Sequence, residues 1–442
     1  VPPKKDAASL ILVREDGAVF WARRAATAKF LASFHVFPGG VSEEQDASPA
    51  HAAVRETLEE TAIACRPEDL LPAGEFSTPP FSPMRFDTHF FMAHVPQDTK
   101  FELTSGELEA GEWIQPREAL ERWRLDEAVL AAPQKMALEA LLSAPGLEEA
   151  ARSLAKTSPG PGEWARRIEL RPGIFAFPVR TPTLPPATHT NAIIIGDGAE
   201  LAVIDPASPY PEEQEALAAL LAELAREGRR VSKILLTHRH VDHVSGATDL
   251  ARRTGAPIVA HRLVKEALRG TVAVDETLED GATIDLAAGK NRRARRLRAV
   301  LTEGHARGHL AWFEETSRTL VAGDMIAGFG WIIIDPPEGD MKVYLESLAR
   351  LRSLGSTLLL PAHGPPIGEP AQKLDEYVSH RLAREAKVLA AYEKGARDLE
   401  SVVKGAYEDT PPALHPLAAR SALAHLLKLQ EDGKVPAGAF AV

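Results

Sequence analysis

The chain of 442 residues holds a single cysteine, Cys65. One thiol excludes an internal disulfide framework, so any metal site has to rely on His, Asp and Glu. It also predicts a reducing, cytoplasmic setting and no disulfide-linked partner. No stretch approaches the roughly 20 apolar residues that a membrane span requires. The opening run Val1-Pro-Pro-Lys-Lys5 lacks the apolar core of a signal peptide, which predicts no leader. Positive charge is in deficit: 51 Lys and Arg against 62 Asp and Glu leave a formal net charge of −11. That argues against broad electrostatic binding to nucleic acid or anionic membrane and leaves room only for a local basic site. No Gly-x-Ser-x-Gly elbow is present, and no internal repeat.

What is present is a soluble composition, 45% hydrophobic and 26% charged. The length exceeds one ordinary core and predicts two or three domains. Ser158-Pro-Gly-Pro-Gly162 has linker chemistry, suited to neither helix nor strand. Ala-, Leu- and Glu-rich helical stretches precede it from about 117 to 156, and β-rich runs follow at Ile168, Ile174–Phe177 and Ala192–Ile195. Near 370 the pattern turns helical again, over Lys373–Lys394 and His415–Leu429. The expected domains are therefore 1–157, 163–370 and 371–442.

The densest chemistry lies in Thr237-His-Arg-His-Val-Asp-His243, directly after the apolar Ile234-Leu-Leu236. His238, His240, Asp242 and His243 are three imidazoles and a carboxylate within six positions, the usual ligands of zinc and related divalent ions. Alternate residues of an extended segment share a side, which lets His238 and His240 meet one ion while Asp242 and His243 reach another. Downstream, His305 sits in a Gly-flanked turn after Leu297–Leu301, Asp324 follows Leu320-Val321, and His363 follows Leu358-Leu-Leu360. Each ends an apolar run beside Gly or Pro, where functional residues concentrate.

In this order, with Asp205 in Val203-Ile-Asp-Pro206, these segments resemble the metallo-β-lactamase superfamily over roughly residues 165 to 370. The resemblance implies an αββα sandwich holding two divalent transition-metal ions, expected to be zinc. His238, His240 and His305 would hold the first ion and Asp242, His243 and His363 the second. Asp324 would bridge them, and a hydroxide between the ions would be the nucleophile. Asp242 is the ligand marked as essential to catalysis. Asp205 and His309 are expected to orient ligands or serve structure. A true β-lactamase is disfavoured, because those enzymes usually lack a ligand of the Asp242 type in this run.

The N-terminal segment has its own pattern. Ala7–Val13 and Ala18–Ala22 read as strands about a Glu15-Asp-Gly17 turn. Phe37-Pro-Gly-Gly40 precedes Ala52–Glu60, where Glu56, Glu59 and Glu60 stand at i, i+3 and i+4 of a helix. Clustered carboxylates repel unless a hard cation joins them. The segment resembles a Nudix domain, with Gly40, Arg55, Glu56, Glu59 and Glu60 at matching positions. It departs at Asp46, where Glu is expected and one extra residue precedes Arg55, at Thr57 and at Ala62, where the family has Gly. The resemblance implies an α/β/α sandwich, Mg²⁺ or Mn²⁺ on the three glutamates with Glu59 catalytic, Arg55 orienting them, and cleavage of nucleoside diphosphate linkages. Arg85–Phe91 looks like a strand of that family's coenzyme A-cleaving branch.

The tail after 370 resembles the small winged-helix-like domain of the β-lactamase-like protein 2 branch, some of whose members cut single-stranded RNA. Its basic residues are matched by acids and it lacks interleaved aromatics, unlike an RNA surface. Lys290, Arg292, Arg293, Arg295, Arg296 and Arg298 form a basic run, expected to be a solvated hairpin on an edge strand. The chain is thus expected to be a binuclear metallohydrolase fused to a Nudix domain. Single-stranded RNA is the leading substrate expectation and an acyl-coenzyme A-like thioester the alternative; a non-catalytic, ligand-binding Nudix module is a third reading. A homo-oligomer is left open.

Overall fold

The computed structural model describes residues 4–289 and 292–441. They divide into two compact units, Val1–Pro178 and Val179–Val442, with the division inside the strand Ile174–Arg180. The Ser158–Gly162 run lies in the first unit, and residues 371–442 stay with the second.

In the first unit the apolar run Ala7–Val13 forms the buried strand Lys5–Arg14, paired in parallel with Phe86–Val95 from Lys5–Phe86 to Arg14–Val95. A strand covered on both faces has no reason to alternate, which is why the run is continuously apolar. Val19–Arg24 and Gly39–Val41 pair antiparallel with the same strand, and Leu108–Ile114 pairs with Val19–Arg24. The helix Pro49–Thr61 begins with a proline, whose fixed φ suits a first turn. It ends at Ala62 in the left-handed region, φ 57°, with the Ala62 N–H returning to Leu58 O. The helices Pro116–Arg124, Ala132–Ser143 and Leu147–Thr157 bury Leu120, Leu138 and Leu154 in one core with Ile11, Phe76 and Met92.

The second unit is built on two sheets. His189–Ile195, Glu200–Ile204, Arg230–Leu235, Ile258–His261 and Glu276–Leu278 are successive neighbours in the first, and the last four run parallel. Parallel neighbours need crossover connections. Here these include the helices Pro211–Arg226, Ala247–Thr254 and Arg262–Ala267. The second sheet runs Thr283–Leu286, Arg295–Leu301, Leu310–Glu314, Thr319–Gly323, Leu358–Pro361. Its pairings are antiparallel except the last. Two reversals leave Arg295–Leu301, Thr319–Gly323 and Leu358–Pro361 pointing the same way, so the loops after them leave from one edge. With the flanking helices this is the αββα sandwich. The remaining chain is helical, over Pro370–Glu393, Leu399–Ala406 and His415–Glu431, and no strand follows Pro361 among the described residues. Val388, Val403, Leu426 and Leu429 form its core.

The basic run differs from expectation. Lys290 lies outside the described residues. Arg295–Leu301 is not an edge strand, since a strand pairs on each side of it. Arg295 is fully buried and meets Glu314 at 3.2 Å, while Arg296 meets Asp285 at 2.6 Å and Arg298 meets Glu315 at 2.9 Å. The carboxylates sit on or beside the neighbouring strands, so the arginines have cross-strand partners; Arg295 is buried, while Arg296 stays exposed to solvent.

Ala62 carries the strain that the family's glycine avoids. An L-residue in the left-handed region costs about 1–2 kcal/mol. Ala62→Gly is therefore expected to stabilise the first unit by about 1 kcal/mol, less the entropy that glycine adds to the unfolded chain. Urea unfolding of the two proteins checks this; an unchanged midpoint would show that no strain resides there.

Candidate metal centre

The ligands predicted from the sequence arrive from the strand ends just described. Asp205 follows Glu200–Ile204; His238 and His240 follow Arg230–Leu235; His305, Asp324 and His363 follow the three co-directional strands of the second sheet. His238 and His240 do not lie on the strand itself, which ends at Leu235. His240 precedes a helical turn, Val241–Val244, which carries Asp242 and His243. His240 is still extended, φ −65° and ψ 146°, and shares a cluster with His238, while the helical turn carries Asp242 and His243 to the other.

Seven side chains form two neighbouring clusters. In one, His238, His240, His305 and Asp324 bring ligand atoms within 4.8 Å of one another; in the other, Asp242, His243 and His363 do the same. Asp324 faces both. Its Oδ2 lies 3.5 Å from His305 Nε2 and 4.0 Å from His238 Nε2, and its Oδ1 lies 3.4 Å from His243 Nε2 and 3.3 Å from His363 Nε2. His363 Nε2 is 3.5 Å from Asp242 Oδ2.

Hydrogen bonds outside the clusters decide which nitrogen of each ring faces inward. Asp205 is buried, and its carboxylate oxygens serve as acceptors. It accepts from the Thr237 N–H at 2.8 Å, from the Thr237 hydroxyl at 2.6 Å and from His243 Nδ1–H at 2.8 Å. With its only proton on Asp205, the Thr237 hydroxyl must accept from His238 Nδ1–H, 3.0 Å away. His305 Nδ1–H donates to Ile333 O and His363 Nδ1–H to His189 O, each at 3.0 Å. In all four rings Nδ1 is engaged outside the clusters and Nε2 faces inward, so each neutral ring would present its Nε2 lone pair there. His240 is reversed: its Nε2 faces Glu338 Oε2 at 3.6 Å and its Nδ1 faces inward.

Such a set fits a cation. His240 Nδ1 lies 2.9 Å from His238 Nε2 and 3.1 Å from His305 Nε2, so three ring nitrogens converge on one small volume. Among the described residues, buried His243 Nε2 and Asp324 Oδ1 have no hydrogen-bond partner. Burial, reinforced by neighbouring imidazoles, holds His238 well below its ordinary pKa, and burial brings His305 down to about 4. Both are therefore neutral, the form that binds metal. Burial also lowers His243, but Asp324, Asp242 and Asp205 outweigh it and hold the ring well above the ordinary range. Positive charge is thus favoured at that cluster. Burial raises Asp324, but His363 and His243 outweigh it and keep the carboxylate ionised.

His309 is fully buried with both nitrogens engaged: Nδ1 donates to Thr302 Oγ1 at 2.9 Å and Nε2 accepts from the Asp324 N–H at 3.2 Å. It offers no lone pair to a metal and holds the backbone of Asp324. Sequence reasoning missed Glu338, which pairs with Arg239 Nε at 2.7 Å and faces His240. Burial raises its carboxyl, but His240 and Arg239 outweigh this and bring it down to about 2. Nothing in Pro336-Pro-Glu-Gly339 marks it; only the fold of its loop does.

In the first unit, Glu56, Glu59 and Glu60 share the helix Pro49–Thr61 but do not close into a comparable cluster. Arg55 donates to Glu56 at 2.9 Å and to Glu59 at 3.1 Å, and its other donors reach Val41 O and Asp46 at 3.0 Å. The shorter Asp46 thus still meets Arg55, across the extra residue. Glu60 accepts from the Gly39 N–H at 3.0 Å, and burial pushes its carboxyl up to about 7. A Cβ on Gly40 would lie 2.4 Å from the Glu56 carboxyl carbon, so glycine there leaves room for that carboxylate.

The comparisons with known proteins agree with this geometry. The family "Metallo-beta-lactamase superfamily" matches residues 185–363, "NUDIX domain" residues 3–132, and "Beta-lactamase associated winged helix domain" residues 399–438. The chain belongs to the metallo-β-lactamase superfamily and is a hydrolase of that fold. Within it the chain falls with the β-lactamase-like protein 2 relatives and carries a Nudix domain at its N-terminal side. The Caenorhabditis elegans "Beta-lactamase-like protein 2 homolog" is 30% identical over 256 residues, 56% of this chain and 80% of that protein. The Aspergillus fumigatus "Atrochrysone carboxyl ACP thioesterase" is 29% identical over 215 residues, 48% of this chain and 62% of that one. The fold is also that of a β-lactamase domain protein from Burkholderia ambifaria, at TM-score 0.51 and 21% identity, covering 60% of this chain and 88% of that one. No helix among the described residues is long and apolar enough to cross a membrane.

Because Asp205 sets the tautomers of both His238 and His243, Asp205→Asn is expected to weaken zinc binding by about 10–100-fold. Zinc titration against a competing chelator measures this, and parent affinity in a folded variant would refute the tautomer assignment.

Proposed function

We propose that the second unit is a binuclear zinc hydrolase whose leading substrates are thioesters or esters of the acyl-coenzyme A kind. The inward lone pairs of the two clusters, joined by Asp324, carry this reading. In it His238, His240 and His305 hold one ion, Asp242, His243 and His363 the other, and Asp324 faces both. When bound, such a pair polarises the electrophile and lowers the pKa of water toward about 7. Asp205, His309, Ile333 and His189 keep the rings and Asp324 in register. Asp242 completes the second cluster and is the carboxylate whose loss should be most damaging.

The substrate preference follows from charge and relatives. RNA needs unpaired cations along its backbone. The Arg295–Arg298 residues that might have supplied them face carboxylates, and in the tail Arg384 and Lys387 meet Asp409, and Lys428 meets Glu385 and Asp432. One relative carries the name of an acyl-carrier-protein thioesterase. Both observations move the thioester reading ahead of the single-stranded RNA expected from the sequence.

For the first unit we propose Mg²⁺ or Mn²⁺ on Glu56, Glu59 and Glu60, with Arg55 orienting them and Glu59 acting in cleavage of a nucleoside diphosphate linkage. The buried Glu60, on one helix face with Glu56 and Glu59, supports a cation there. We propose 1–157, 163–370 and 371–442 as the working domains, and a cytoplasmic setting on the single thiol.

Purified protein is expected to hold about two transition-metal ions in the second unit. Asp242→Ala and His240→Ala should each abolish its hydrolysis while leaving the first unit folded. Acyl-coenzyme A thioesters and a labelled single-stranded RNA, assayed side by side, decide the substrate class; cleavage of the RNA alone would overturn the thioester reading. Glu59→Gln, assayed with Mg²⁺ on coenzyme A and on dinucleotides, should silence the first unit if that unit cleaves them. An inert parent on those substrates would favour a ligand-binding role.

A further inference from the structure

Between Asp324 and the helix Met341–Ser353 the chain has neither helix nor strand, yet this segment touches the candidate centre at both ends and in the middle. Asp324 opens it. Ile333 O accepts from His305 Nδ1–H at 3.0 Å, and Glu338 Oε2 lies 3.6 Å from His240 Nε2. A segment without its own hydrogen-bond ladder must be held from outside. Helix Pro370–Glu393, from the C-terminal helical part, does much of this. The Tyr377 hydroxyl accepts from the Ala327 N–H at 2.9 Å and donates to Gly330 O at 3.0 Å. One turn later, the Arg381 guanidinium donates to Ile332 O. From the last helix, Arg420 pairs with Asp335.

Arg381 is the telling residue. It is 3% exposed, lies 5.4 Å from the Tyr344 ring, and forms no ion pair among the described residues. A buried cation without a carboxylate is costly and calls for an explanation. Its hydrogen bond goes to Ile332 O, the carbonyl immediately before the one that holds His305. Fixing Ile332 O anchors the peptide plane as far as the Ile333 Cα, so that only the two dihedrals of Ile333 separate this anchor from the carbonyl that meets His305.

We propose that Arg381, seconded by Tyr377, is a positioning residue for the metal centre: the C-terminal helical part sets the tautomer and orientation of His305 through the Ile332–Ile333 backbone. This rests on the binuclear reading above. The helical part is thus a working component of the metal site and not only a neighbouring domain. The ion held by His238, His240 and His305 should feel its loss more than the ion held by Asp242, His243 and His363.

The test is cobalt titration of the full-length metal-free protein, following the visible ligand-field bands and the two binding steps, with circular dichroism to check folding. Arg381→Met should stay folded and weaken one of the two steps by about 10–100-fold, with a changed spectrum for that ion. Arg381→Lys, which keeps the charge and a donor, should recover part of the loss. Two parent-like binding steps with a parent-like spectrum in folded Arg381→Met would overturn the proposal, as would equal weakening of both steps. If Arg381→Met does not fold, Tyr377→Phe decides by the same two criteria, since it removes one hydroxyl and little volume. A parent protein that binds no cobalt sinks the binuclear reading itself, a result separable from any behaviour of the variants.

Discussion

The carboxylate of Asp205 governs more of this molecule than any other single group. Buried beside Thr237 and His243, it accepts three hydrogen bonds and thereby dictates where the protons of two imidazoles sit. Once His243 donates to it directly, and His238 donates through the Thr237 hydroxyl, both rings turn Nε2 to the interior. Lone pairs and carboxylate oxygens crowded into a buried space are unfavourable on their own. They become favourable around a cation, which is why the arrangement reads as a metal centre and not as an ordinary polar cluster.

The sandwich makes that crowding possible by delivering strand ends to one place. Parallel neighbours in the first sheet bring Asp205 and the His238–His243 turn together. In the second, two antiparallel steps and one parallel step align the ends that precede His305, Asp324 and His363. The ligands therefore come from loops, while the strands that position those loops are buried over much of their length. Around them lies a shell of backbone carbonyls, His189 O and Ile333 O, which no side-chain pattern could reveal. The helical C-terminal part joins this shell through Tyr377 and Arg381, linking what sequence divides into separate regions.

The first unit shows how a motif can depart from its family and keep its geometry. Asp46 is shorter than the glutamate expected there, but the additional residue before Arg55 does not prevent a two-oxygen contact with the guanidinium. Ala62 takes the left-handed conformation that glycine would take without strain. Arg55 bridges Glu56 and Glu59, so like charges on one helix face are held together even before a cation arrives.

Much was legible beforehand. A continuous apolar run marked the buried strand Lys5–Arg14, Ile234-Leu-Leu236 marked the end of Arg230–Leu235, and helical patterning marked Pro49–Thr61, Pro370–Glu393 and His415–Glu431, because burial on two faces or on one stripe leaves those periods in the residue order. The seven ligand candidates were legible too, since imidazole and carboxylate at strand ends beside Gly or Pro are chemically unusual in combination. Tertiary structure alone decided which nitrogen of each ring faces inward, the part played by Glu338, and the contacts of Arg381. It also decided that Arg295, Arg296 and Arg298 each meet a carboxylate from a neighbouring part of the sheet. The physical reason is the same in each case. Residue type and local period are properties of neighbours along the chain, whereas a proton's position and a charge's partner are set by groups that folding brings from far away in sequence.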